Sequence, residues 1–270
     1  MPAAIEFKNV SFSFDEHVVL DNLSFSMPTG GTTLLLGESG AGKTIVLKLS
    51  LGLLRPDTGE IFLNGQRIDN LSESELLRMR TGAGIAFQEN ALFDSLTVAE
   101  NVGYRLYEET SMPLDDVRKR VEEVLAFIGL SETIDRMPSE LSGGQRRRVG
   151  IARAMTSRPK LLLFDDPTTG LDPIVASTVD DEVVKLRDLE SVTSIIATHQ
   201  IRDAFYIATH RAARADGRIE ITEAPGRETI AATFLVLYAG RLHFQGTAAE
   251  LLASQDPYLK EFLFMTLPPW

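Results

Sequence analysis

The octapeptide GESGAGKT at residues 37–44 fits the pattern G-x-x-x-x-G-K-[ST] at every position. A run of threonine and leucine precedes it at residues 32–36, and an apolar stretch follows at residues 45–51. The run predicts a buried strand and the stretch predicts a helix, which is the order that a phosphate-binding loop requires. The sequence therefore predicts an α/β fold with a nucleotide site at residues 37–44.

The residue types of this loop suit phosphate chemistry. Glycines let backbone N–H groups turn toward phosphate oxygens, and the following helix adds the positive end of its dipole. Lys43 is expected to reach the β- and γ-phosphates, and the Thr44 hydroxyl is expected to ligate Mg²⁺. The predicted nucleotide-binding residues of the loop are Gly37, Glu38, Ser39, Gly40, Ala41, Gly42, Lys43 and Thr44.

A second apolar run, LLLF at residues 161–164, ends in Asp165 and Asp166. Such runs are typical of buried parallel strands, and open α/β sheets bind ligands at the carboxyl ends of their strands. We expect Asp165 to hold Mg²⁺ and Asp166 to orient or deprotonate the attacking water. For an isolated run, a strand that ends in a solvated acidic turn is the alternative.

The stretch LSGGQ at residues 141–145 precedes a predicted helix at residues 145–154. Ser142 and two glycines at a helix start leave free amides that point outward, which predicts a second anion site. Plain N-capping by Ser142 is the alternative.

These motifs, in this order, resemble those of the ATP-binding-cassette family. Phe14 matches the aromatic residue that stacks on adenine, Gln88 the Q-loop glutamine, TGLD at residues 169–172 the D-loop, and His199 the switch histidine. The resemblance covers residues 5–255. It implies a P-loop NTPase cassette with a RecA-like core, an N-terminal antiparallel β part and an inserted helical subdomain.

The resemblance also assigns roles. The implied catalytic residues are Asp166, His199 and Gln88, and the implied metal-site residues are Thr44, Gln88 and Asp165. LSGGQ is the family's signature, whose Ser142, Gly143, Gly144 and Gln145 face the γ-phosphate of ATP held by another subunit. Because the chain has one copy of each half, a head-to-tail homodimer with ATP and Mg²⁺ at its interface is implied.

One position departs from the family pattern, because Asp166 stands where glutamate is usual. Its carboxylate would lie about 1.5 Å further back, and misplacements near 1 Å can cost about 100-fold in rate. Either the backbone compensates or hydrolysis is slow. A chain that binds ATP and barely hydrolyses it is the extreme alternative, and a structural role for Asp166 is another.

His199 follows a predicted strand at residues 193–198, so it is expected at the same sheet edge. A lone histidine on an apolar strand is more often a hydrogen-bonded core residue, and only the family match favours contact with the γ-phosphate. His17, His210 and His243 are interpreted as structural or surface residues. The chain has no cysteine, and its histidines show no metal-site spacing.

The predicted organisation has three parts. Residues 1–90 and 159–246 form the ATP-binding core with its antiparallel β part, residues 91–158 the helical subdomain that carries the signature, and residues 247–270 a C-terminal helical tail. A helix is predicted at residues 201–213. Residues 215–232 are interpreted as a β-hairpin insertion, for which an inert surface loop is the alternative.

Composition limits the class of partner. The chain has 270 residues, 44% of them hydrophobic, and a formal charge of −11, which argues against broad binding to DNA or RNA. No apolar stretch approaches the roughly 20 residues that span a bilayer, so a membrane role requires a partner. The basic triplets at residues 118–120 and 146–148 are predicted to be solvated faces or salt-bridge partners.

Three stretches are similar to the Mla-type ATPases of MCE-associated lipid transporters: residues 91–98, 198–205 and 256–259. This resemblance implies a lipid transporter subunit on the cytoplasmic face of the inner membrane. Its implied partners are a transmembrane permease, a periplasmic MCE lipid-binding protein and a STAS-domain subunit. A soluble cassette of the iron–sulfur assembly type, or an importer cassette for another substrate, remains an alternative.

A groove beside Gln88 is expected to be lined by Ala91, Leu92, Phe93 and Leu96. Exposed apolar residues there would suit a docking helix of a permease. Packing of the same residues inside the helical subdomain is the alternative.

Overall fold

The computed structural model describes residues 3–87, 91–215, 217–224 and 232–266. Its strands are β1 (Ala3–Phe14), β2 (His17–Pro28), β3 (Thr32–Leu36), β4 (Thr58–Leu63), β5 (Gln66–Arg67), β6 (Ala83–Ala86), β7 (Leu161–Asp165), β8 (Thr193–Thr198), β9 (His210–Ala215), β10 (Arg218–Glu223), β11 (Ala232–Tyr238) and β12 (Arg241–Gly246). Its α-helices are α1 (Lys43–Ser50), α2 (Glu73–Arg80), α3 (Val98–Glu109), α4 (Leu114–Phe127), α5 (Gly143–Met155), α6 (Pro173–Glu190), α7 (Ile201–Thr209), α8 (Ala248–Ala253) and α9 (Pro257–Thr266).

A six-stranded sheet in the order β12-β11-β3-β8-β7-β6 forms the centre of the molecule. Every pair from β11 to β6 is parallel, and only β12 runs antiparallel to its neighbour. β3, β7 and β8 are buried at every position, which explains their unbroken apolar character. Parallel strands bring their carboxyl ends to one edge, so residues 37–44, Asp165 and His199 all begin at that edge.

A second sheet has the order β2-β1-β4-β5. Its apolar face packs against α1, so that α1 lies between this sheet and the central one. β1 and β2 form the predicted antiparallel pair, which turns at Asp15 in the left-handed region with φ 50°. Phe7 and Phe25 stack across this pair with ring centroids 4.7 Å apart. The antiparallel β part predicted for the N-terminal region is confirmed.

Helices α3, α4 and α5 lie between β6 and β7 in the chain and form the inserted helical region. The buried side-chain amide of Asn101 fixes the segment that leads into this helical region. Its Nδ2 donates to the carbonyls of Phe93, Leu96 and Thr97 at 3.0 Å each. Its Oδ1 accepts the Phe93 amide at 2.8 Å. One side chain thus holds residues 93–97 against α3.

The chain after His199 differs from prediction. The predicted helix at residues 201–213 ends at Thr209, and β9 then pairs antiparallel with β10. The reason lies in α6, where Arg187 donates to the carbonyls of Ile207 and His210, and Asp188 accepts the Ala212 amide at 2.8 Å. These contacts hold an alanine-rich segment extended despite its helix propensity.

The hairpin predicted at residues 215–232 therefore begins earlier, at His210. Its remaining part, at residue 216 and residues 225–231, lies outside the described residues. None of the described helices combines the length and the hydrophobicity that a bilayer-spanning segment needs. The predicted α/β architecture is confirmed, whereas the boundaries of the three parts stay predictions.

Candidate functional site

The loop between β3 and α1 has a backbone that only glycine fits well. Gly40 and Gly42 have φ of 83° and 95°, in the left-handed region. A Cβ at Gly42 would lie 2.8 Å from Leu20 Cδ2, and one at Gly37 would lie 2.7 Å from the Leu237 carbonyl. Because these positions have no side chain, the backbone of the loop can lie close to Leu20 and Leu237 and to a phosphate group.

The Lys43 side chain folds back to the start of this loop. Its Nζ donates to the carbonyls of Gly37 at 2.9 Å and Glu38 at 3.0 Å, and the residue is 5% exposed. Burial lowers the pKa of Lys43, while Asp166 and Asp165 oppose that shift. A buried cation between the loop and two carboxylates is suited to attract an anion.

The Thr44 hydroxyl donates to Asp165 Oδ1 at 2.9 Å, which joins the start of α1 to the end of β7. Burial raises the pKa of Asp165, and the bond from Thr44 partly opposes that rise. No group of three His, Cys, Asp or Glu side chains among the described residues could hold a metal. A cation here would need further ligands besides this hydroxyl and this carboxylate.

Asp166 contacts His199 directly. Asp166 Oδ1 accepts the His199 backbone amide at 3.2 Å and lies 2.8 Å from His199 Nδ1. The Asp166 amide donates to the Ala197 carbonyl at 2.8 Å, and its backbone is left-handed with φ 43°. Asp166 and His199 therefore form a pair at the ends of neighbouring strands β7 and β8.

These groups surround a cleft of about 430 Å³. Its lining includes Phe14, Ser39, Gly40, Gly42, Lys43, Thr44, Asp166 and His199. Phe14 is 52% exposed, so its ring is available for stacking. Glu38 instead lines a neighbouring cavity, and the Ala41 amide donates to the Glu38 carbonyl at 3.1 Å. Gln88 lies outside the described residues.

The signature residues lie away from this cleft and begin α5. Ser142 Oγ accepts the Gln145 amide at 3.2 Å, and Gln145 Oε1 accepts the Ser142 amide at 2.9 Å. This reciprocal capping box satisfies two of the free amides of the helix start. A Cβ on Gly144 would lie 2.1 Å from Val175 Cγ1, whereas one on Gly143 would meet only Leu171 Cδ2 at 3.7 Å. Gly144 is thus required by packing against α6, and Gly143 is open.

Comparison with known proteins agrees with this geometry. A family model described as ABC transporter matches residues 20–169. The intermembrane phospholipid transport system ATP-binding protein MlaF of Haemophilus influenzae is 36% identical over 96% of this chain and 89% of its own length. The chloroplastic protein TRIGALACTOSYLDIACYLGLYCEROL 3 of Arabidopsis thaliana is 35% identical over 96% of this chain and 72% of its own. The chain belongs to the ABC transporter family.

Solved cassettes share the fold of this ABC protein. A dimeric ATP-binding cassette in a post-hydrolysis state, bound to ADP and Pi, superposes with a TM-score of 0.75 at 26% identity, over 90% of this chain and 98% of the other. The cbiO1 protein of Clostridium perfringens, part of the ABC transporter complex cbiONQ, gives 0.78 at 26% identity, over 98% and 96%. The predicted cassette fold is confirmed, and the chain is an ABC-type ATPase that binds nucleotide.

One contact next to the cleft was not predicted from the sequence. Arg147, in the second basic triplet, is 8% exposed, and its Nη2 donates to the Thr169 carbonyl of the D-loop at 2.9 Å. Its Nε and Nη1 have no hydrogen-bond partner among the described residues. Burial lowers the pKa of Arg147, and Asp166 opposes that shift. The expected solvated face is therefore wrong for Arg147, because one of three consecutive helical residues must face inward.

The first basic triplet follows expectation, because Arg118 forms ion pairs with Glu122 and Asp135.

The hydroxyl of Thr169, beside the Arg147 contact, is also buried without a partner among the described residues. The D-loop and the signature helix are thus joined by one side chain. Within one chain, the Arg147 contact therefore links the signature helix α5 to the D-loop that follows β7.

Next to residue 87 the structure has a groove whose lining differs from the one predicted beside Gln88. A groove of about 680 Å³ lies beside β6 and includes Leu53, Leu77, Phe87 and Tyr104 in its wall. The predicted lining residues Ala91, Leu92, Phe93 and Leu96 are not part of that wall, and Leu92 packs on the core instead. Phe93 is 41% exposed and contacts Tyr104, with ring centroids 4.6 Å apart. Phe93 therefore stands at the rim, because Asn101 fixes its backbone against α3.

Proposed function

We propose that this chain is the ATP-hydrolysing subunit of an ABC transporter that moves phospholipid between membranes. The observation that carries the proposal is the Asp166–His199 pair, which lines one cleft with Lys43 and Thr44. The Thr44 hydroxyl in turn donates to Asp165 beneath that cleft. In this proposal Lys43 exchanges its two carbonyl contacts for the β- and γ-phosphates of ATP. Phe14 stacks on the adenine ring.

Mg²⁺ is part of the proposal because its preferred ligands are oxygens. The Thr44 hydroxyl and the Asp165 carboxylate supply two of them, and their present 2.9 Å contact brings both to one point. Gln88 would add a third ligand from the Q-loop. When bound, the metal neutralises charge on the phosphates during transfer.

Asp166 acts as the base that orients and deprotonates the attacking water, and His199 acts on the γ-phosphate side. The contact between them supports these roles, because the histidine holds one carboxylate oxygen and leaves the other for water. Aspartate in place of the usual glutamate suggests slow hydrolysis. The left-handed backbone of Asp166 alters the direction of this short side chain.

A head-to-tail homodimer completes the site. The signature residues 142–145 lie outside the cleft of their own chain, so each set is proposed to cover the ATP of the partner subunit. Gly143 is exposed, which leaves its backbone accessible to a phosphate. Two identical chains then give two equivalent sites.

The transported substrate is proposed from the relatives, because two of them have names that refer to phospholipid transport or to a lipid. A permease helix is proposed to dock in the groove that Leu53, Leu77, Phe87 and Tyr104 line. Through that permease, the chain is proposed to act on the cytoplasmic face of the inner membrane. A periplasmic MCE protein and a STAS-domain subunit are the further proposed partners.

Self-association measured by light scattering tests the proposal. We expect wild-type chain to dimerise with Mg·ATP when hydrolysis is slow, and Lys43→Ala or removal of Mg²⁺ to abolish the dimer. Equal dimerisation in all three samples would overturn the ATP-clamp proposal. Copurification of a multispanning membrane protein with the chain supports the transporter role, whereas an active ATPase that binds no membrane protein points to a soluble cassette.

A further inference from the structure

Thr168 and Asp203 are two buried polar residues that the roles above leave unused. Thr168 follows Asp166 by two positions and is 1% exposed, and Asp203 follows His199 by four positions and is 2% exposed. The Thr168 hydroxyl donates to Asp203 Oδ2 at 2.5 Å. A hydroxyl bound to a buried carboxylate is a strong, charge-assisted interaction.

Asp203 is itself held in place. Its Oδ1 accepts Arg202 Nε at 3.0 Å and Nη2 at 2.9 Å. The residue lies in the first turn of α7, where the helix dipole favours a negative charge. The carboxylate therefore has one orientation, and it presents Oδ2 to Thr168.

Together these contacts close a ring in the structure. Residues 166–168 and residues 199–203 are joined at one end by the Asp166–His199 contact and at the other by Thr168–Asp203. Pro167 restricts the backbone of the first segment, and the start of α7 restricts the second. A displacement of Thr168 relative to α7 would thus displace Asp166 relative to His199.

We propose that Thr168 and Asp203 are positioning residues for ATP hydrolysis, because their hydrogen bond holds Asp166 in contact with His199. The inference rests on the proposed roles of that pair. Neither residue lines the nucleotide cleft, so both act through the Asp166–His199 contact and not on ATP.

Thr168→Val tests the bond because it keeps the shape of the side chain and removes the hydroxyl. We expect kcat for Mg·ATP hydrolysis by the full chain to fall about 10- to 100-fold, since misplacements near 1 Å cost about that much. KM for ATP should not change. Thr168→Ser keeps the hydroxyl, so it should retain most of the wild-type kcat. A wild-type kcat in Thr168→Val would overturn the proposal.

A double variant separates positioning from general damage. On an Asp166→Asn background the pair has already lost its base, so adding Thr168→Val should cause no further loss of the residual kcat. A further loss as large as that in the wild-type background would show that Thr168 acts elsewhere and would overturn the proposal. If Asp166→Asn alone leaves turnover unchanged, the proposed role of Asp166 fails, and the positioning role fails with it.

Folding is checked by thermal unfolding of each variant. If Thr168→Val does not fold, Asp203→Asn takes its place, because it keeps an acceptor for Thr168 and removes the charge that strengthens the bond. Asp203→Asn should then lower kcat in the wild-type background and leave it unchanged on the Asp166→Asn background. Equal losses in both backgrounds would overturn the proposal.

Discussion

Asp166 Oδ1 is shared by two groups of His199, the backbone amide at 3.2 Å and the ring nitrogen Nδ1 at 2.8 Å. One oxygen of the Asp166 carboxylate is thus held by contacts with the residue that follows β8. The histidine fixes the direction of an acidic side chain that is one methylene shorter than the family's usual glutamate. The proposed base is therefore constrained by its partner as well as by its own left-handed backbone.

Asp166→Asn is expected to lower single-turnover ATP hydrolysis at least about 100-fold and to accumulate the ATP-bound dimer, because an amide cannot accept the proton of the attacking water. Asp166→Glu should preserve or raise turnover, since it restores the usual reach. Rapid-quench kinetics and light scattering measure the two effects. An Asn variant that hydrolyses ATP at the wild-type rate would exclude Asp166 as the base.

His199→Ala is expected to reduce kcat while binding of a fluorescent ATP analogue remains, because the variant loses the contact with Asp166 and keeps Lys43 and Phe14. His243→Ala is the matched control. His243 also contacts a carboxylate, with Nε2 3.0 Å from Asp256 Oδ1, but it lies on β12 outside the cleft. Equal losses in both variants would mean that His199 has only a structural role.

Substitutions of the two signature glycines are expected to have different effects, one on the stability of the chain and the other on dimerisation. Gly144→Ala should destabilise the chain by about 1–3 kcal/mol, because its Cβ would lie 2.1 Å from Val175 Cγ1. Val175→Ala should recover part of that loss. Gly143→Ala should leave unfolding unchanged, since its nearest contact is an ordinary 3.7 Å, and should weaken the Mg·ATP-dependent dimer. Denaturant unfolding and light scattering distinguish these results, and a stable dimer of Gly143→Ala would argue against the composite site.

Asp180 on α6 is expected to make stability depend on pH. The residue is 1% exposed and its Oδ1 has no partner among the described residues. Burial raises its pKa to about 8, Asp203 and Asp181 add to the rise, and Arg202 opposes it. Between about pH 4 and pH 8 the folded chain keeps a proton that the unfolded chain releases, so stability falls as the pH rises through that range.

Asp180→Asn stays uncharged at every pH, so its stability relative to wild type should increase from pH 4 to pH 8 and then level off. Urea unfolding at several pH values measures this difference, with an expected slope of up to about 1 kcal/mol per pH unit. Glu108→Gln is the control, because Glu108 is an exposed acid on α3. A rise of the same size in the control would assign the effect to net charge and not to burial.

Leu77→Asp is expected to abolish recruitment to membranes that contain the permease and to leave ATP binding intact. Leu77 lines the apolar groove and is 57% exposed, so the change should not disturb the core. Leu252→Asp is a matched control on α8, because Leu252 is 55% exposed and lies outside the groove. Phe93→Asp should behave like Leu77→Asp if the groove rim takes part. Membrane flotation measures recruitment, and equal loss in the control would count against the groove.

Local patterns predicted the parts of the site that depend on a single segment. The phosphate-binding loop, the apolar strands β3, β7 and β8, and the helix that begins at the signature all follow from short-range residue spacing. The sequence also placed Asp165, Asp166 and His199 at one sheet edge, because parallel strands share the direction of their carboxyl ends.

What sequence alone did not indicate are contacts between segments far apart in the chain. It did not indicate that His199 would contact Asp166, that Arg147 would face inward toward the D-loop, or that contacts with α6 would make residues 210–213 a strand instead of the predicted helix. Strand and helix periodicities fix which face a side chain takes on its own element. The order of strands and the packing of helices decide which side chain it meets, so the Asp166–His199 contact and the bonds around it were determined only by tertiary structure.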